Sequence, residues 1–271
     1  MDGSARFTPP PVGHGDGVKL HHVIEGPDDA PELVLLCSLG STVDMWAPQR
    51  RELADEFRLI TMDTRGHGGS PVPDGPYRVE DLARDVLDTL DDLGVERASF
   101  AGVSLGGAIG QWLGLHAPER VRTLALLCTA ARFPHAETFR ERAATVREQG
   151  TAAIADGVVA RWFTEDYAQA EPDTVARMRD LIASTPAEGY AGCAEAIADW
   201  DVVDELGGIT APTLVISGVE DPAAPPEYQQ VLADGIPDAR LECVTDAAHL
   251  ASYQRPEVIT PLLREHAKGA P

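Results

Sequence analysis

Short apolar runs alternate with helical segments through the first half of the chain, and this alternation most limits its possible folds. The runs are rich in Val, Leu and Ile and have the length of buried strands; they are Leu33–Cys37, Arg58–Met62, Ala98–Val103 and Val121–Cys128. Between them, Val79–Leu93 carries apolar residues on one helical face, and Gly94 follows as a typical helix end. Apolar strands joined by helices predict a mostly parallel sheet covered on both faces.

The rhythm changes in the second half of the chain. Residues 132–206 are rich in Ala, Arg and Glu and contain no strand-like run, whereas strands resume at Thr213–Ser217 and Arg240–Val244. Gly17–Glu25 alternates weakly and predicts antiparallel strands at one sheet edge. We therefore expect a core formed by residues 1–131 and 207–271, with about eight strands, and a helical cap inserted at 132–206.

The charge of the chain limits its partners. It has 22 Lys and Arg residues and 44 Asp and Glu residues, which gives a formal net charge of −22. Such a charge argues against nucleic acid and anionic membranes as partners. If the substrate is a small anion, the overall field opposes its approach, so we expect an arginine in the pocket.

The cellular compartment is predicted from the N-terminal residues, from the length of the apolar stretches and from the cysteines. The N-terminal residues 1–17 are polar and turn-rich, without the apolar segment of a signal peptide. No stretch approaches the roughly 18 apolar residues of a membrane span. Four widely spaced cysteines, without a metal-type or redox pair, are typical of free thiols in a reducing cytoplasm; they are Cys37, Cys128, Cys193 and Cys243. We expect a cytoplasmic protein, with the oligomeric state open between monomer and homodimer.

A candidate nucleophile lies where a predicted strand meets a predicted helix. Gly102–Gly106 reads GVSLG, which matches the pattern G-x-S-x-G. In such an elbow the serine has a strained backbone, and the flanking glycines let strand and helix approach closely. Ser104 would then stand clear of the sheet over the helix N-terminus. The alternative, a glycine-rich turn that only allows tight packing, has less support because the strand-to-helix context fits.

A serine nucleophile needs a base, and the base needs an orienting acid. Asp221 follows the strand Thr213–Ser217, and His249 follows the next strand, so the order along the chain is Ser, Asp, His. That is the order of the α/β-hydrolase triad. The other histidines, among them His67 in a glycine-rich turn, do not follow a strand after the candidate acid.

Stabilisation of an oxyanion is predicted from backbone groups. The strand Leu33–Cys37 ends in the polar turn Cys37–Gly40. One donor is expected to be the N–H of Leu105, directly after the nucleophile, and the other the N–H of Leu39 in this turn. A thiol such as that of Cys37 at a buried strand end is usually inert.

These residues, with the turn Asp63–Ser70 (DTRGHGGS), resemble the α/β-hydrolase superfamily along the whole chain. Three further segments are similar to the 3-oxoadipate enol-lactonases of aromatic catabolism, namely Ala160–Thr164 (ARWFT), Pro186–Tyr190 (PAEGY) and Ala248–Leu250 (AHL). Many relatives carry His-Gly where this chain has Cys37 and Ser38. That difference removes a side chain that braces the turn, but it leaves the backbone donor.

The resemblance implies that Ser104 attacks the lactone carbonyl while His249, oriented by Asp221, takes its proton. The ring opens through an acyl-enzyme, and no metal or organic cofactor is required. Arg161 or Arg142 would clamp the substrate carboxylate, and Trp162 would form an apolar wall. A solvated arginine and a tryptophan that only packs cap against core are the plain alternatives.

Other functions fit the same scaffold. A carboxylesterase of broader specificity would use the same three residues, and only the cap separates it from a lactonase. A cofactor-free perhydrolase is a weaker alternative. A non-catalytic ligand-binding protein of this fold is also possible in principle, but such proteins tend to lose a triad member or an elbow glycine, and this chain keeps them all.

Overall fold

A central sheet of seven strands organises residues 18–269, which are the residues that this computed structural model describes. The strands are β1 (His22–Glu25), β2 (Glu32–Leu36), β3 (Arg58–Met62), β4 (Ala98–Val103), β5 (Val121–Leu127), β6 (Thr213–Gly218) and β7 (Ala239–Val244). Their order is β1-β3-β2-β4-β5-β6-β7. β1 runs antiparallel to β3 and all other neighbours are parallel.

The predicted class of fold is confirmed, with a small difference at the edge. The apolar runs form the strands within one or two residues of their predicted ends. Within the described residues the edge segment contributes one strand, β1, so the sheet has seven strands where about eight were expected. Residues 1–17 of the expected core lie outside the described part of the chain.

Eleven α-helices accompany the sheet in residues 18–269. They are α1 (Ala47–Leu53), α2 (Val79–Asp92), α3 (Leu105–His116), α4 (Ala136–Gln149), α5 (Ala155–Val159), α6 (Glu165–Ala170), α7 (Pro172–Ser184), α8 (Ala187–Ala198), α9 (Pro226–Gly235), α10 (Ala251–Gln254) and α11 (Pro256–Lys268). The predicted helix over Val79–Leu93 is α2, with Leu93 as its cap and Gly94 at φ 69° after it.

The two faces of the sheet are buried in two separate apolar clusters, because successive side chains of a strand point to opposite faces. In β2, Val34 and Leu36 belong to the cluster beneath α2, α3 and α8, whereas Leu33 and Leu35 belong to the cluster beneath α1 and α11. Burial on both faces explains why the inner strands β2 to β6 are largely apolar, whereas the edge strands β1 and β7 are partly exposed.

The helices α4 to α8 lie between β5 and β6 in the chain. The segments that enter and leave this block lie side by side, since Val202 donates its N–H to Ala131 O at 3.0 Å and Arg132 pairs with Asp201 at 3.3 Å. The division into a core and a cap at 132–206 remains a prediction. Among the described residues no helix has both the length and the apolar character needed to cross a bilayer.

Candidate active site

Ser104 occupies a strained turn between β4 and α3. Its backbone angles, φ 55° and ψ −111°, lie in a region that residues other than glycine rarely adopt. Hydrogen bonds hold this conformation on both sides. The Ser104 N–H donates to Leu127 O at 2.9 Å, and the Ser104 carbonyl accepts from Ala108 N at 3.0 Å and from Thr129 Oγ1 at 2.7 Å.

The two glycines around Ser104 are required by close backbone approach. A Cβ placed on Gly102 would lie 2.2 Å from Gly106 O, and one placed on Gly106 would lie 2.4 Å from Leu36 O. Real Cβ atoms do not come so close to a carbonyl oxygen. The spacing of the motif therefore follows from how tightly α3 packs against β2 and β4.

His249 and Asp221 form a buried pair in the loops after β7 and β6. His249 Nδ1 lies 2.8 Å from Asp221 Oδ2, and the side chains are almost fully buried. Asp221 Oδ1 accepts from the N–H groups of Ala223 at 2.8 Å and Ala224 at 3.0 Å. A carboxylate held in this way accepts a hydrogen bond from the Nδ1–H of the ring, so Nε2 of the neutral ring keeps its lone pair and can act as a base.

Gln254 fixes the loop that carries His249. Its Nε2 donates to Asp246 O at 2.9 Å and to Thr164 Oγ1 at 2.6 Å, and its Oε1 accepts from Ala248 N at 3.2 Å. The loop is thereby tied to the end of the segment that contains Trp162. Sequence reasoning missed Gln254, because no local motif marks a buried amide. One of its partners, Thr164, lies 90 residues away in the chain.

The turn after β2 has the geometry expected of an oxyanion hole. Ser41 N–H donates to Ser38 O at 3.1 Å, and Gly40 has a φ of 80°, which identifies a type II turn with Leu39 at its second position. Within residues 18–269, neither the Leu39 N–H nor the Leu105 N–H donates a hydrogen bond to another protein group. Both donors are thus available for a ligand.

A cavity of about 160 Å³ brings most of the predicted residues together. It is lined by Leu39, Ser104, Arg142, Arg161, Trp162 and His249. Asp221 lies behind His249, and Leu105 is buried at the start of α3. No hydrogen bond joins the side chains of Ser104 and His249 among the described residues; such catalytic hydrogen bonds commonly tighten only when substrate binds.

Sequence reasoning missed several cavity residues from the helical block and the segment before it. Phe133, His135, Phe139 and Tyr190 complete the wall beside the two arginines. Tyr190 lies in the segment PAEGY, which was noted only as a likeness. The packing of α4 against α8 places Phe139 and Tyr190, and the local sequence carries no signal for that packing. Phe133 and His135 lie in the segment before α4.

The two arginines have no acidic partner. Arg142 Nη1 lies 3.4 Å from Tyr190 Oη, and its guanidinium stacks 5.1 Å above the centre of the Phe139 ring. Within the described residues neither Arg142 nor Arg161 forms an ion pair. Burial, and the positive charge of Arg142, lower the pKa of Arg161. Two neighbouring, half-buried cations attract an anion into this cavity.

The buried thiols are poor nucleophiles. Burial raises the pKa of Cys37 and of Cys128 well above that of a free thiol, which disfavours the reactive thiolate. Cys37 also contacts Met62 O at 3.2 Å. In the described part of the chain no group of three His, Cys, Asp or Glu side chains has the arrangement of a metal site.

Comparison with known proteins places these features in a family. Residues 31–256 match the family model of the alpha/beta hydrolase fold. 3-Oxoadipate enol-lactonase 2 from Acinetobacter baylyi is 40% identical over 240 residues, which cover 89% of this chain and 90% of that enzyme. The crystal structure of the enol-lactonase from Burkholderia xenovorans LB400 superposes with a TM-score of 0.91 and 42% identity, over 93% of this chain and 98% of that one.

A relative with a different name is also similar. The putative carbamate hydrolase RutD from Stutzerimonas stutzeri is 31% identical over 255 residues, which cover 91% of this chain and 96% of that protein.

Proposed function

The chain belongs to the α/β-hydrolase fold family as a hydrolase of esters or lactones, and we propose that it opens the ring of 3-oxoadipate enol-lactone. One observation carries this choice of substrate. In a protein with a net charge of −22, two arginines that form no ion pair within residues 18–269 line the cavity that also contains Ser104 and His249. A substrate with a reactive carbonyl and a free carboxylate fits that arrangement. Similarity to the enol-lactonases supports it.

The first half of the reaction forms an acyl-enzyme. Ser104 Oγ attacks the lactone carbonyl, and its proton passes to His249 Nε2, while Asp221 stabilises the imidazolium through Nδ1. The N–H groups of Leu39 and Leu105 stabilise the oxyanion. When the tetrahedral intermediate collapses, the ring C–O bond breaks, and the leaving enol oxygen takes the proton from His249.

The second half releases the product. The enol remains attached to the acyl group, because the broken bond was part of a ring, and it converts to the ketone. Water then attacks the acyl carbonyl and gives a proton to His249. Collapse of the second intermediate returns that proton to Ser104 Oγ, and a product with two carboxylates leaves.

Recognition of the substrate is assigned to the cap, residues 132–206. Arg161 and Arg142 bind the carboxylate by charge-assisted hydrogen bonds, which are about twice as strong as neutral ones. Trp162 is buried and forms an apolar wall of the cavity. The small volume of the cavity, about 160 Å³, suits a compact lactone rather than a long acyl chain.

Carbamate hydrolysis is the second candidate, since the similarity to the putative carbamate hydrolases covers most of the chain. The same serine chemistry would cleave a carbamate, so the site alone does not separate the two. A broader carboxylesterase is the third reading of the same residues.

A panel of substrates tests the proposal. The panel contains freshly prepared 3-oxoadipate enol-lactone, p-nitrophenyl acetate and a small carbamate that bears a carboxylate, each with wild type, Ser104→Ala and Ser184→Ala. Ser184 is an exposed serine at the end of α7 and controls for the substitution itself. We expect the highest kcat/KM on the enol-lactone and loss of activity only in Ser104→Ala. A higher kcat/KM on the carbamate or the ester would replace the lactonase assignment, and full activity of Ser104→Ala would overturn the nucleophile.

A further inference from the structure

Both ring nitrogens of His67 are used in hydrogen bonds to the backbone. The Gly40 N–H, which can only donate, points to His67 Nε2 at 2.9 Å. His67 Nδ1 lies 3.1 Å from Arg65 O, which can only accept. The ring must therefore carry its proton on Nδ1 and present a lone pair at Nε2. His67 is fully buried, and this burial lowers the pKa of its imidazole and favours the neutral form.

The bond to Gly40 holds the central peptide of the oxyanion-hole turn. Type I and type II turns differ by rotation of the peptide between their second and third residues, which here are Leu39 and Gly40. His67 Nε2 accepts from the N–H of that peptide. If the peptide rotated, the Leu39 carbonyl would face the His67 lone pair, which is repulsive. The imidazole thus selects the type II turn observed here, and with it the backbone conformation of Leu39.

The loop that carries His67 is itself rigid. Asp63 Oδ2 accepts from Gly69 N at 2.9 Å, and Asp63 Oδ1 accepts from Val43 N at 2.8 Å. Val43 lies two residues after Ser41, the last residue of the oxyanion-hole turn. Two buried polar groups from one loop, His67 and Asp63, therefore hold the second half of the turn and the segment that follows it.

A residue of the cap also packs against the same turn. Tyr190 of α8 is fully buried and packs against Gly40, where an added Cβ would lie 3.0 Å from Tyr190 Cε2. The rings of His67 and Tyr190 have centroids 6.5 Å apart. Gly40 is thus in contact both with His67 and with a residue whose hydroxyl contacts Arg142.

We propose that His67 is a positioning residue of the reaction, which holds the turn that presents the Leu39 N–H to the oxyanion by accepting the Gly40 N–H. This inference rests on the proposed catalysis by Ser104. The turn has no His-Gly pair at Cys37 and Ser38, and a side chain from another loop braces it instead. His67 lies outside the wall of the cavity, so it acts on the chemical step through the backbone of the turn.

Paired variants at position 67 test the proposal. His67→Phe keeps a ring of similar size but has no acceptor, whereas His67→Gln keeps an acceptor near the position of Nε2. We expect His67→Phe to lower kcat on p-nitrophenyl acetate and on the enol-lactone by about 10–100-fold, with KM changed by less than about threefold. We expect His67→Gln to recover most of that loss. An isolated rise in KM, or equal losses in both variants, would overturn the proposal.

The outcomes separate this inference from the proposed function. If Ser104→Ala is inactive and His67→Phe has full activity, only the role of His67 is wrong; if Ser104→Ala stays active, the proposed catalysis is wrong. Should His67→Phe fail to fold, the wild-type protein labelled with ¹⁵N in its histidines provides a second test. Two-bond ¹⁵N–¹H correlation spectra should show His67 with its proton on Nδ1 at neutral pH. A proton on Nε2 or an imidazolium would overturn the proposal.

Discussion

His249 Nδ1 and Asp221 Oδ2 lie 2.8 Å apart, and the carboxylate is held in place by two backbone N–H groups on its other oxygen. Such a carboxylate has no freedom to rotate away from the imidazole. It fixes the tautomer of His249 in which Nε2 is free to accept a proton. This geometry fits the tasks proposed for the two residues, His249 as the base and Asp221 as the orienting acid.

Replacing this acid removes the preference for one tautomer. We expect Asp221→Asn to lower kcat on the enol-lactone by about 10⁴-fold, because the amide stabilises neither the required tautomer nor the imidazolium. Glu220→Gln is the matched control, since it removes one negative charge from the exposed neighbouring residue. Steady-state kinetics of both variants check this expectation. Similar kcat values in the two variants would contradict the role of Asp221.

The pocket arginines are expected to select charged substrates. Arg161→Gln should lower kcat/KM for the enol-lactone by about 10–100-fold, the value of one or two charge-assisted hydrogen bonds, and change that for uncharged p-nitrophenyl acetate by less than about threefold. Arg179→Gln makes the same change of charge on the exposed surface of α7, where Arg179 pairs with Asp156. If Arg161→Gln lowers kcat/KM equally for the enol-lactone and for p-nitrophenyl acetate, the residue has a structural role instead.

The elbow should not tolerate a side chain at Gly106. Gly106→Ala would place a Cβ 2.4 Å from Leu36 O, so we expect a loss of about 1–3 kcal/mol in the free energy of unfolding together with loss of activity. Gly157→Ala in α5 meets no atom within 4 Å and should be neutral or slightly stabilising. Urea denaturation and an activity assay on both variants measure this. A stable, active Gly106→Ala would show that α3 can move away from β2.

Stability should fall as the pH drops below about 6.5, the ordinary pKa of histidine. Burial lowers the pKa of His266, whose Nε2 donates to Leu124 O at 2.8 Å. Between this lowered pKa and 6.5 the unfolded chain binds more protons than the folded one, so the free energy of unfolding rises with pH there. Thermal unfolding from pH 5.5 to 7.5 should show a smaller slope in His266→Gln than in wild type. His116→Gln, at an exposed position, is the control; an unchanged slope in His266→Gln would contradict the prediction.

The elements of the core were predictable because the inner strands β2 to β6 are apolar over most of their length and each is followed by a turn or a helix. Ser104, Asp221 and His249 were predicted as a triad from their position after such strands, and the structure places them after β4, β6 and β7; their catalytic roles stay a prediction. This reasoning works because parallel strands all end at one edge of the sheet. The residues near Ser104 in the chain, such as Leu105, followed from the same rule.

Contacts between distant segments could not be predicted in this way. His67 was set aside as a candidate base, and its bond to Gly40 spans 27 residues and depends on how two loops pack. Tyr190 of α8 and Phe139 of α4 line the cavity, and both positions depend on the packing of these two helices against each other. Gln254 is a polar residue in a short helix, and nothing in the local sequence marks it as buried.

We propose that Ser104 forms an acyl-enzyme from a cyclic substrate. Trapping this acyl-enzyme is the most direct test of the proposal. Wild type and Ser104→Ala would be mixed with the enol-lactone, quenched in acid within milliseconds, digested and analysed by mass spectrometry. We expect an adduct on the peptide that contains Ser104. Its mass should be the full mass of the lactone, because the leaving group stays attached to the acyl chain. An adduct on a different residue, or turnover of the lactone by Ser104→Ala at the wild-type rate, would contradict it.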